Sequence, residues 1–281
     1  MAPGKQSRGI YMGNLVIDIE GMNKTFGQRK VLKNINFKIQ AGEMVGLIGA
    51  SGSGKSTLIR SIAGLEGMDQ GSKHIKLFSA VTQLSNKKTP NQRSLRRDVG
   101  VIFQQFNLVG RLSLLTNVLI GRLAHNSSWK GLLKLFPHTE KIKALEALER
   151  VNMVEYAHQR SSTLSGGQQQ RGAIARALTQ EAKLILADEP IASLDPASSD
   201  RVMNLLCDIN RQDGTTVVVS LHQFEVATTR CERIIALKEG AIVYDGKSSG
   251  ISRDDLIDLY GVEDGVCGLG AERPEPIMKA G

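Results

Sequence analysis

A glycine-rich stretch of the chain has the composition and spacing of a phosphate-binding loop. Its residues, Gly49-Ala50-Ser51-Gly52-Ser53-Gly54-Lys55-Ser56, fit the pattern G-x-x-x-x-G-K-[ST]. The glycines let the backbone curl so that its N–H groups face phosphate oxygens, and the helix predicted from Thr57 to Ala63 adds its positive end. A Gly/Ser-rich turn is the plain alternative, but a strand and a helix flank the stretch as the mechanism requires. We predict that Lys55 holds the β and γ phosphates of a nucleotide and that Ser56 offers its hydroxyl to Mg²⁺.

An apolar run that ends in two carboxylates can supply the other half of such a site. The run is Leu184 to Ala187, and Asp188 and Glu189 follow it. Ligands bind outside the carboxyl ends of strands in open α/β sheets. Alone, this acidic pair would more often be a helix cap or a solvated turn. Beside a phosphate loop, the pair predicts Asp188 as a ligand of Mg²⁺, directly or through water, and Glu189 as the group that polarises the attacking water.

A second stretch has residues suited to phosphate at the start of a helix. Leu164-Ser165-Gly166-Gly167-Gln168 precedes a helical pattern that continues to Leu178. A serine and two glycines then stand at a helix N-terminus, where backbone N–H groups and the helix dipole favour anions. A plain helix cap would explain these residues taken by themselves. The chain thus carries two candidate phosphate cradles.

The elements that must position these residues follow from hydrophobic patterning. Leu15 to Glu20 and Val31 to Ile39 alternate apolar and polar side chains, which predicts half-buried strands. Met44 to Ile48, Leu184 to Ala187 and Thr216 to Val219 are short apolar runs, as expected for strands covered on both faces. Helical patterns lie between these runs. The sequence therefore predicts an α/β fold with a mainly parallel sheet.

Two further patterns add a helix and a hairpin near the C-terminal side. Asp195-Pro196 is an N-cap followed by proline at the first helical position, and it opens a helix. The apolar face of that helix is predicted to contain Val202, Leu205, Leu206 and Ile209. Arg233 to Leu237 and Ala241 to Tyr244 flank a polar tip, which predicts a β-hairpin.

The strand signal disappears between about residues 106 and 164. Within this interval Thr139-Glu140 is predicted to open a helix that carries Ile142, Leu145, Leu148 and Val151 at helical spacing. We interpret the interval as an inserted helical subdomain.

Composition narrows the class of protein. The 281 residues include 36 Lys and Arg against 28 Asp and Glu, which gives a net charge of +8. This charge suits nucleic acid, an anionic membrane surface or a phosphate-bearing ligand. However, the basic residues are dispersed and aromatic residues make up only 4%, which argues against a surface that stacks on nucleic acid bases.

Cys207, Cys231 and Cys267 lie far apart, as expected in a reducing, cytoplasmic compartment without a metal cage. No run approaches the roughly 18 to 20 apolar residues of a membrane span, and residues 1–14 lack a signal-peptide core, so we expect a chain that is neither membrane-spanning nor secreted.

The order of these motifs resembles the nucleotide-binding subunit of an ABC transporter. The phosphate loop, Leu164-Ser165-Gly166-Gly167-Gln168 and Leu184-Ile185-Leu186-Ala187-Asp188-Glu189-Pro190 follow one another as in that family, and the resemblance runs from about residue 14 to 246. It implies a RecA-like P-loop NTPase core with antiparallel β elements and an inserted α-helical subdomain. The expected organisation is a leader at 1–13, an ATP-binding domain at 14–250 with its helical subdomain at about 106–164, and a C-terminal extension at 251–281.

The resemblance also assigns expected roles to single residues. Phe26 would stack on adenine, Gln104 would be the Q-loop glutamine, and His222 would be the switch histidine that contacts the γ-phosphate, while Ser193-Leu194-Asp195 would form the D-loop. Taken singly, Phe26 would be a core residue and His222 a capped histidine. The expected catalytic residues are Lys55, Gln104, Glu189 and His222; the expected ligands of Mg²⁺ are Ser56, Gln104 and Asp188; the expected nucleotide contacts are Phe26, Gly49, Ala50, Ser51, Gly52, Ser53, Gly54, Lys55, Ser56, Thr57, Ser165, Gly166, Gly167, Gln168 and Asp195.

Partners follow from the same resemblance. Two subunits of this family pair head to tail, so that ATP lies between the Lys55 loop of one and the Ser165–Gln168 segment of the other. The expectation is a homodimer bound to two integral membrane permease subunits, with an extracytoplasmic solute-binding protein acting through the permease and no nucleic acid partner. The subunit would lie peripherally on the cytoplasmic face of the inner membrane.

Several stretches are similar to the phosphonate importer ATPases within this family. They are Phe103 to Val109, Arg111 to Ser113, Asn117 to Leu123, Ala187 to Pro196, Cys231 to Ile234 and the basic, aromatic insertion around Trp129 to Phe136. Importers of phosphite or phosphate share much of the pattern and remain alternatives. A soluble ABC ATPase acting on nucleic acid or translation is favoured only by the isoelectric point near 9.4 and by the dispersed basic residues. An ATP-binding regulator without turnover is disfavoured by the presence of Glu189 and His222.

Two residues depart from the family pattern. Phe26 stands where tyrosine is common, which keeps an aromatic ring and removes a hydroxyl. Gly172 interrupts the helix after Gln168, where a bulkier apolar residue is expected, and a glycine inside a helix costs about 1 kcal/mol relative to alanine. We expect Gly172 to loosen that helix.

Overall fold

A computed structural model of the chain describes residues 15–84, 87–88, 96–123, 136–251 and 255. The predicted leader, Cys267, nearly all of the predicted extension and most of the insertion around Trp129 lie outside these residues. In chain order the strands are β1 (Leu15–Phe26), β2 (Arg29–Gln40), β3 (Met44–Ile48), β4 (His74–Leu77), β5 (Ala80–Leu84), β6 (Lys87–Lys88), β7 (Val99–Ile102), β8 (Leu184–Ala187), β9 (Thr216–Ser220), β10 (Arg233–Lys238) and β11 (Ala241–Lys247). The helices are α1 (Lys55–Ile62), α2 (Leu114–Leu119), α3 (His138–Arg150), α4 (Gly166–Thr179), α5 (Pro196–Asp213) and α6 (Phe224–Arg230).

A six-stranded sheet forms the centre of the molecule and confirms the predicted mainly parallel sheet. Its order is β11-β10-β3-β9-β8-β7, and every neighbouring pair except β10 and β11 is parallel. The residues of β3, β8 and β9 are all buried, which explains their near-continuous apolar sequences. The carboxyl ends of β3, β7, β8 and β9 therefore meet at one edge.

A second sheet is antiparallel and packs beside the first. Its order is β2-β1-β4-β5-β6. Strand β1 continues to Phe26, beyond the predicted end at Glu20. The sequence pattern ends early because register shifts in the pairing of β1 with β2 break the alternation of apolar and polar residues. The hairpin of β4 and β5 was not predicted. Its turn residues, Phe78 and Ser79, both have positive φ (50° and 64°), a conformation that Asn-Gly sequences usually signal.

Two hydrophobic cores lie on the two faces of the parallel sheet. Strand β3 serves both, since Met44 and Ile48 belong to one core and Val45 and Leu47 to the other. The first core is closed by helices α2 to α6, and the second by α1 and the antiparallel sheet. The strand that precedes the phosphate loop is thus covered on both sides.

Among the described residues between 106 and 164, the regular elements are helices α2 and α3 and short 3-10 turns, and the β pairing found there is one isolated bridge between Ser113 and Arg160. Helix α3 starts at His138, directly after Pro137, so the predicted start at Thr139 is one residue late. The apolar residues that the sequence places at helical spacing along α3 are not all buried. Ala144, Ala147 and Leu148 are buried, whereas Ile142 is 42% exposed, because small side chains carry the close packing of α3 on α2 and α4.

Gly172 has a packing role that the sequence analysis did not predict. A Cβ atom at this position would lie 2.6 Å from Leu114 Cδ1 and 3.3 Å from Leu108 Cδ1. The missing side chain lets α4 approach α2 closely, which a bulkier residue would prevent.

None of the helices in the described part of the chain is both long and apolar enough to cross a membrane.

Candidate functional site

The glycine-rich loop between β3 and α1 has a backbone that only glycine adopts readily. Gly49, Gly52 and Gly54 have φ values of 148°, 77° and 109°. A Cβ atom at Gly49 would stand 2.2 Å from Leu237 O. Gly54 is the N-cap of α1 and supplies no side-chain cap, so the first-turn N–H groups of this helix remain available to an anion.

The tip of the β10–β11 hairpin braces this loop from outside. Gly240 N donates to Ser53 O at 3.1 Å, and Gly240 O accepts from Lys33 N at 2.7 Å. The approach is close, since a Cβ atom at Gly240 would lie 2.2 Å from Val31 O. Ser53 itself is buried, and its hydroxyl has no hydrogen-bond partner among the described residues. A buried hydroxyl without a partner in a curled loop fits a phosphate oxygen.

Lys55 places a positive charge inside the loop. Its side chain is buried, and Nζ donates to Gly49 O at 2.7 Å and to Ala50 O at 3.3 Å. Burial lowers the pKa of Lys55, and the nearby carboxylates of Glu189 and Asp188 oppose that effect. The ammonium group is therefore held close to both acidic residues of the predicted site.

Ser56 and Asp188 meet at the edge of the sheet. Ser56 Oγ donates to Asp188 Oδ1 at 2.8 Å, although the two residues are 132 positions apart. Ser220 Oγ donates to the same carboxylate oxygen at 3.0 Å and accepts from Glu189 N at 2.8 Å. The sequence analysis missed Ser220, whose only signal was its position at the carboxyl end of an apolar strand. Hydroxyl and carboxylate oxygens side by side are the donor set that Mg²⁺ prefers.

Glu189 is held in a strained conformation next to His222. Its φ is 49°, which for a residue other than glycine costs of the order of 1–3 kcal/mol and is retained where the surroundings impose it. Its Oε1 lies 2.5 Å from His222 Nε2. The side chains are 15% and 39% exposed, so the pair faces the opening of the site. The structure thus brings together two residues that the sequence separates by 33 positions.

Gln104 lies just beyond this edge, and Phe26 ends a strand of the antiparallel sheet. Gln104 is exposed and follows the end of β7, whose last residue, Ile102, accepts a hydrogen bond from Asp188 N at 2.8 Å. Phe26 ends β1 with its side chain 46% exposed. One face of its ring carries Lys24 Nζ at 4.7 Å from the centroid. Phe26 is therefore not the core residue that an isolated phenylalanine would be.

The second cradle starts α4. Ser165 is the N-cap, its Oγ accepts from Gln168 N at 3.3 Å, and Gln168 Oε1 accepts from Ser165 N at 2.8 Å. Ser165 is exposed. A Cβ atom at Gly167 would stand 2.7 Å from Ser198 Oγ, so this glycine allows the start of α4 to touch the start of α5.

Asp195 has a structural role that the sequence analysis also predicted. Its Oδ1 accepts from Ser198 N at 2.9 Å and caps α5. Hydrogen bonds from Ser198 lower the pKa of this exposed carboxyl group. Its predicted nucleotide contact stays a prediction.

Comparison with known proteins gives a consistent set of relatives. A family model described as ABC transporter matches residues 32–192. The chain is 55% identical over 249 residues to Phosphonates import ATP-binding protein PhnC 1 of Pseudomonas aeruginosa (strain UCBPP-PA14), covering 88% of this chain and 90% of that protein. It is 52% identical over 248 residues to Phosphonates import ATP-binding protein PhnC of Caulobacter vibrioides (strain ATCC 19089 / CIP 103742 / CB 15), covering 88% and 94%.

Solved structures agree with the observed architecture. The dimeric post-hydrolysis state of the ATP-binding cassette MJ0796 bound to ADP and Pi has a TM-score of 0.72 and 34% identity, covering 84% of this chain and 100% of that one. A nucleotide-free ATP-binding cassette from an ABC transporter, at 24% identity and a TM-score of 0.72, supports the fold alone.

Proposed function

The chain belongs to the ABC transporter family, and from that premise we propose that it is the subunit that hydrolyses ATP to drive the import of phosphonates. The relatives that match it at 52% and 55% identity over 88% of its length are named for phosphonate import. The subgroup motifs in the sequence point the same way. Phosphonate is therefore preferred over phosphite or phosphate as the solute.

One observation carries the catalytic part of this proposal. A continuous chain of hydrogen bonds joins Ser56, Asp188, Ser220 and Glu189, and His222 contacts the far end of that chain. It lies at the carboxyl edge of the sheet, beside the buried ammonium group of Lys55. This arrangement supports a site in which Lys55 would bind phosphate, Ser56 and Asp188 would supply oxygen ligands, and Glu189 would act as the base.

The residues of this edge fit both ATP and Mg²⁺. The curled glycine loop, the orphan hydroxyl of Ser53 and the Lys55 ammonium would hold the β and γ phosphates, and Ser56 and Asp188 would hold the metal, with Gln104 just beyond this edge. Bound Mg²⁺ would neutralise charge on the phosphate oxygens. Glu189 would orient and polarise the attacking water, and His222 would fix the carboxylate and reach the γ-phosphate.

A head-to-tail dimer would complete the site. Ser165 is exposed at the start of α4, where it can face a nucleotide bound to another copy. Two related solved structures of MJ0796 are described as dimeric. We propose the same pairing here, with two membrane permease subunits bound to the dimer, a solute-binding protein acting through them, and a peripheral position on the inner membrane.

Growth on single phosphorus sources tests the function. A strain that lacks this subunit should fail on a phosphonate and recover with the wild-type gene, whereas Glu189→Gln should not restore growth. Growth on phosphite and phosphate provides the control for solute identity. If the wild-type gene restored growth only on phosphite or phosphate, that compound and not phosphonate would be the imported solute. If Glu189→Gln restored growth as well as wild type, a hydrolysis-driven importer would be contradicted.

A further inference from the structure

The backbone that follows Gln104 is held in an unusual conformation. We call residues 106–109 the exit segment. Its first two residues, Phe106 and Asn107, have φ values of 57° and 50°. Asparagine tolerates the left-handed region, but a bulky aromatic residue rarely adopts it. Two such residues in succession need external contacts to stay in place.

Arg176 of α4 supplies those contacts at the front of the exit segment. Its Nη1 donates to Asn107 O at 2.6 Å, and its Nη2 donates to Phe106 O at 3.4 Å. The planar guanidinium group thus holds the two carbonyl oxygens of the strained pair. The ring of Phe106 meanwhile lies against the start of the same helix, with Cζ 3.5 Å from where a Cβ atom at Gly166 would stand.

Asn117 holds the rear of the exit segment. Its Oδ1 accepts from Val109 N at 2.7 Å, and its Nδ2 donates to Val109 O at 3.1 Å. The side-chain amide pairs with the backbone of Val109 as a neighbouring strand would. Asn117 is fully buried and also donates to Ser161 Oγ at 2.9 Å, so this end is fixed within the helical region.

The choice of arginine at position 176 points to more than space filling. Burial lowers the pKa of Arg176. An apolar residue such as methionine would occupy the same space without desolvating a charge. The hydrogen bonds that Arg176 donates to the exit segment offset the desolvation of its charge.

From these contacts we propose that Arg176 is a positioning residue that couples α4 to the Q-loop glutamine, Gln104. Helix α4 carries the Ser165–Gln168 cradle at its start, and Gln104 precedes Phe106 by two residues. A movement of α4 is then transmitted through the guanidinium group to the backbone that carries Gln104. Arg176 acts through this backbone and does not touch the nucleotide. The proposal rests on the proposed function, because it gives Gln104 a role in hydrolysis.

Hydrogen exchange on the full chain tests the physical link without any activity. Arg176→Met should raise the exchange rate of backbone amides at residues 104–109 by about tenfold or more, since the strained backbone loses its holding contacts. Arg171→Met is the matched control. Arg171 lies on the same helix and also donates to two backbone carbonyls, Val151 O and Asn152 O, both at 3.1 Å. This control should speed exchange near residue 152 and leave residues 104–109 unchanged. Unchanged exchange at 104–109 in Arg176→Met would overturn the proposal.

A double-mutant cycle in the assembled transporter tests the consequence for hydrolysis. Arg176→Met should lower kcat to within about threefold of Gln104→Ala, and combining the two should lower it no further, because both remove the same placement. Arg171→Met should combine with Gln104→Ala additively. Arg176→Lys, which keeps the charge and a single donor nitrogen but loses the planar fork, should recover part of the loss. The dissociation constant for ATP should stay within about threefold of wild type in each variant.

The possible outcomes separate the two proposals. Additive effects of Arg176→Met and Gln104→Ala, with wild-type hydrolysis intact, would reject the coupling role. A wild-type transporter without phosphonate-stimulated hydrolysis would reject the proposed function, and the exchange experiment would still decide whether Arg176 holds the exit segment.

Discussion

The carboxyl edge of the parallel sheet and the helical region around α4 both carry residues of the proposed nucleotide site, but they position them differently. At the sheet edge, Lys55, Asp188 and Glu189 directly follow buried strands or the loop between a strand and a helix, so the backbone places them. Around α4, the exit segment takes its position from distant side chains such as Arg176 and Asn117. Changes at the edge should therefore act on chemistry, and changes in the helical region should act on packing and coupling.

Removing the charge inside the phosphate loop gives the largest expected effect and tests the first half of this comparison. Lys55→Ala should lower ATP hydrolysis by at least about 10³-fold, because the β and γ phosphates lose their buried cation. Because Lys55 Nζ donates its hydrogen bonds to Gly49 O and Ala50 O in its own loop, and because burying its charge is unfavourable, the free energy of unfolding should change by no more than about 1 kcal/mol. Phosphate release and thermal unfolding measure the two quantities. Wild-type turnover in this variant would contradict the assignment of this loop to the ATP site.

Neutralising the carboxylate of Glu189 should have the next largest effect. Glu189→Gln keeps shape and hydrogen-bonding capacity but removes the base, so hydrolysis should fall by about 10²- to 10³-fold while ATP still binds. Because ATP is then retained, Mg-ATP should produce a dimer that light scattering detects. The exposed Glu232→Gln is the control and should behave as wild type. If light scattering showed that Glu189→Gln stays monomeric with Mg-ATP, the shared site would be contradicted.

Ser220 sharpens the comparison, because the structure alone identifies it. Ser220→Ala removes the donor to the Asp188 carboxylate and the acceptor of the Glu189 backbone N–H, so the carboxylate of one residue and the backbone of the other lose a hydrogen bond. Hydrolysis should fall by about tenfold with a smaller effect on ATP affinity, since no phosphate contact is lost. A kcat equal to wild type would show that Ser56 alone suffices to place Asp188.

Gly172 tests the second half of the comparison and should have the smallest effect on hydrolysis. Gly172→Leu introduces the bulkier residue that the sequence pattern favours, but it must enter space occupied by Leu114. The free energy of unfolding should fall by about 1–3 kcal/mol, with hydrolysis per folded molecule changed by less than about threefold. Adding Leu114→Ala should recover part of the stability. Unchanged stability in the single variant would mean that α2 and α4 adapt more easily than their contacts indicate.

The same division explains what the sequence could and could not predict. The phosphate loop and strands β3, β8 and β9 were recognisable because residue type, spacing and burial all depend on the local chain. The hairpin of β4 and β5 was not, because Phe78-Ser79 gives no turn signal despite its positive φ. Arg176 was not singled out either, because an arginine in a helix is usually a solvated side chain.

The helical region shows a further limit of sequence patterns. Ile142 looked like a core residue, but alanines on the neighbouring face make the contacts. Gly172 looked like a weakness, but its missing side chain is what the packing uses. In both cases the deciding factor is the distance between helices, which no pattern along a single helix contains.

The tip of the β10–β11 hairpin has a consequence for protein engineering. By its polar sequence, Lys238-Glu239-Gly240 resembles a surface turn that would accept a fluorescent reporter or new chain termini. The backbone of Gly240, however, bonds to Ser53 in the phosphate loop and to Lys33 in β2. Opening this turn would break the hydrogen bond by which the hairpin supports the phosphate loop. A reporter inserted there would disturb ATP binding by itself, so sensors of nucleotide state need another attachment point.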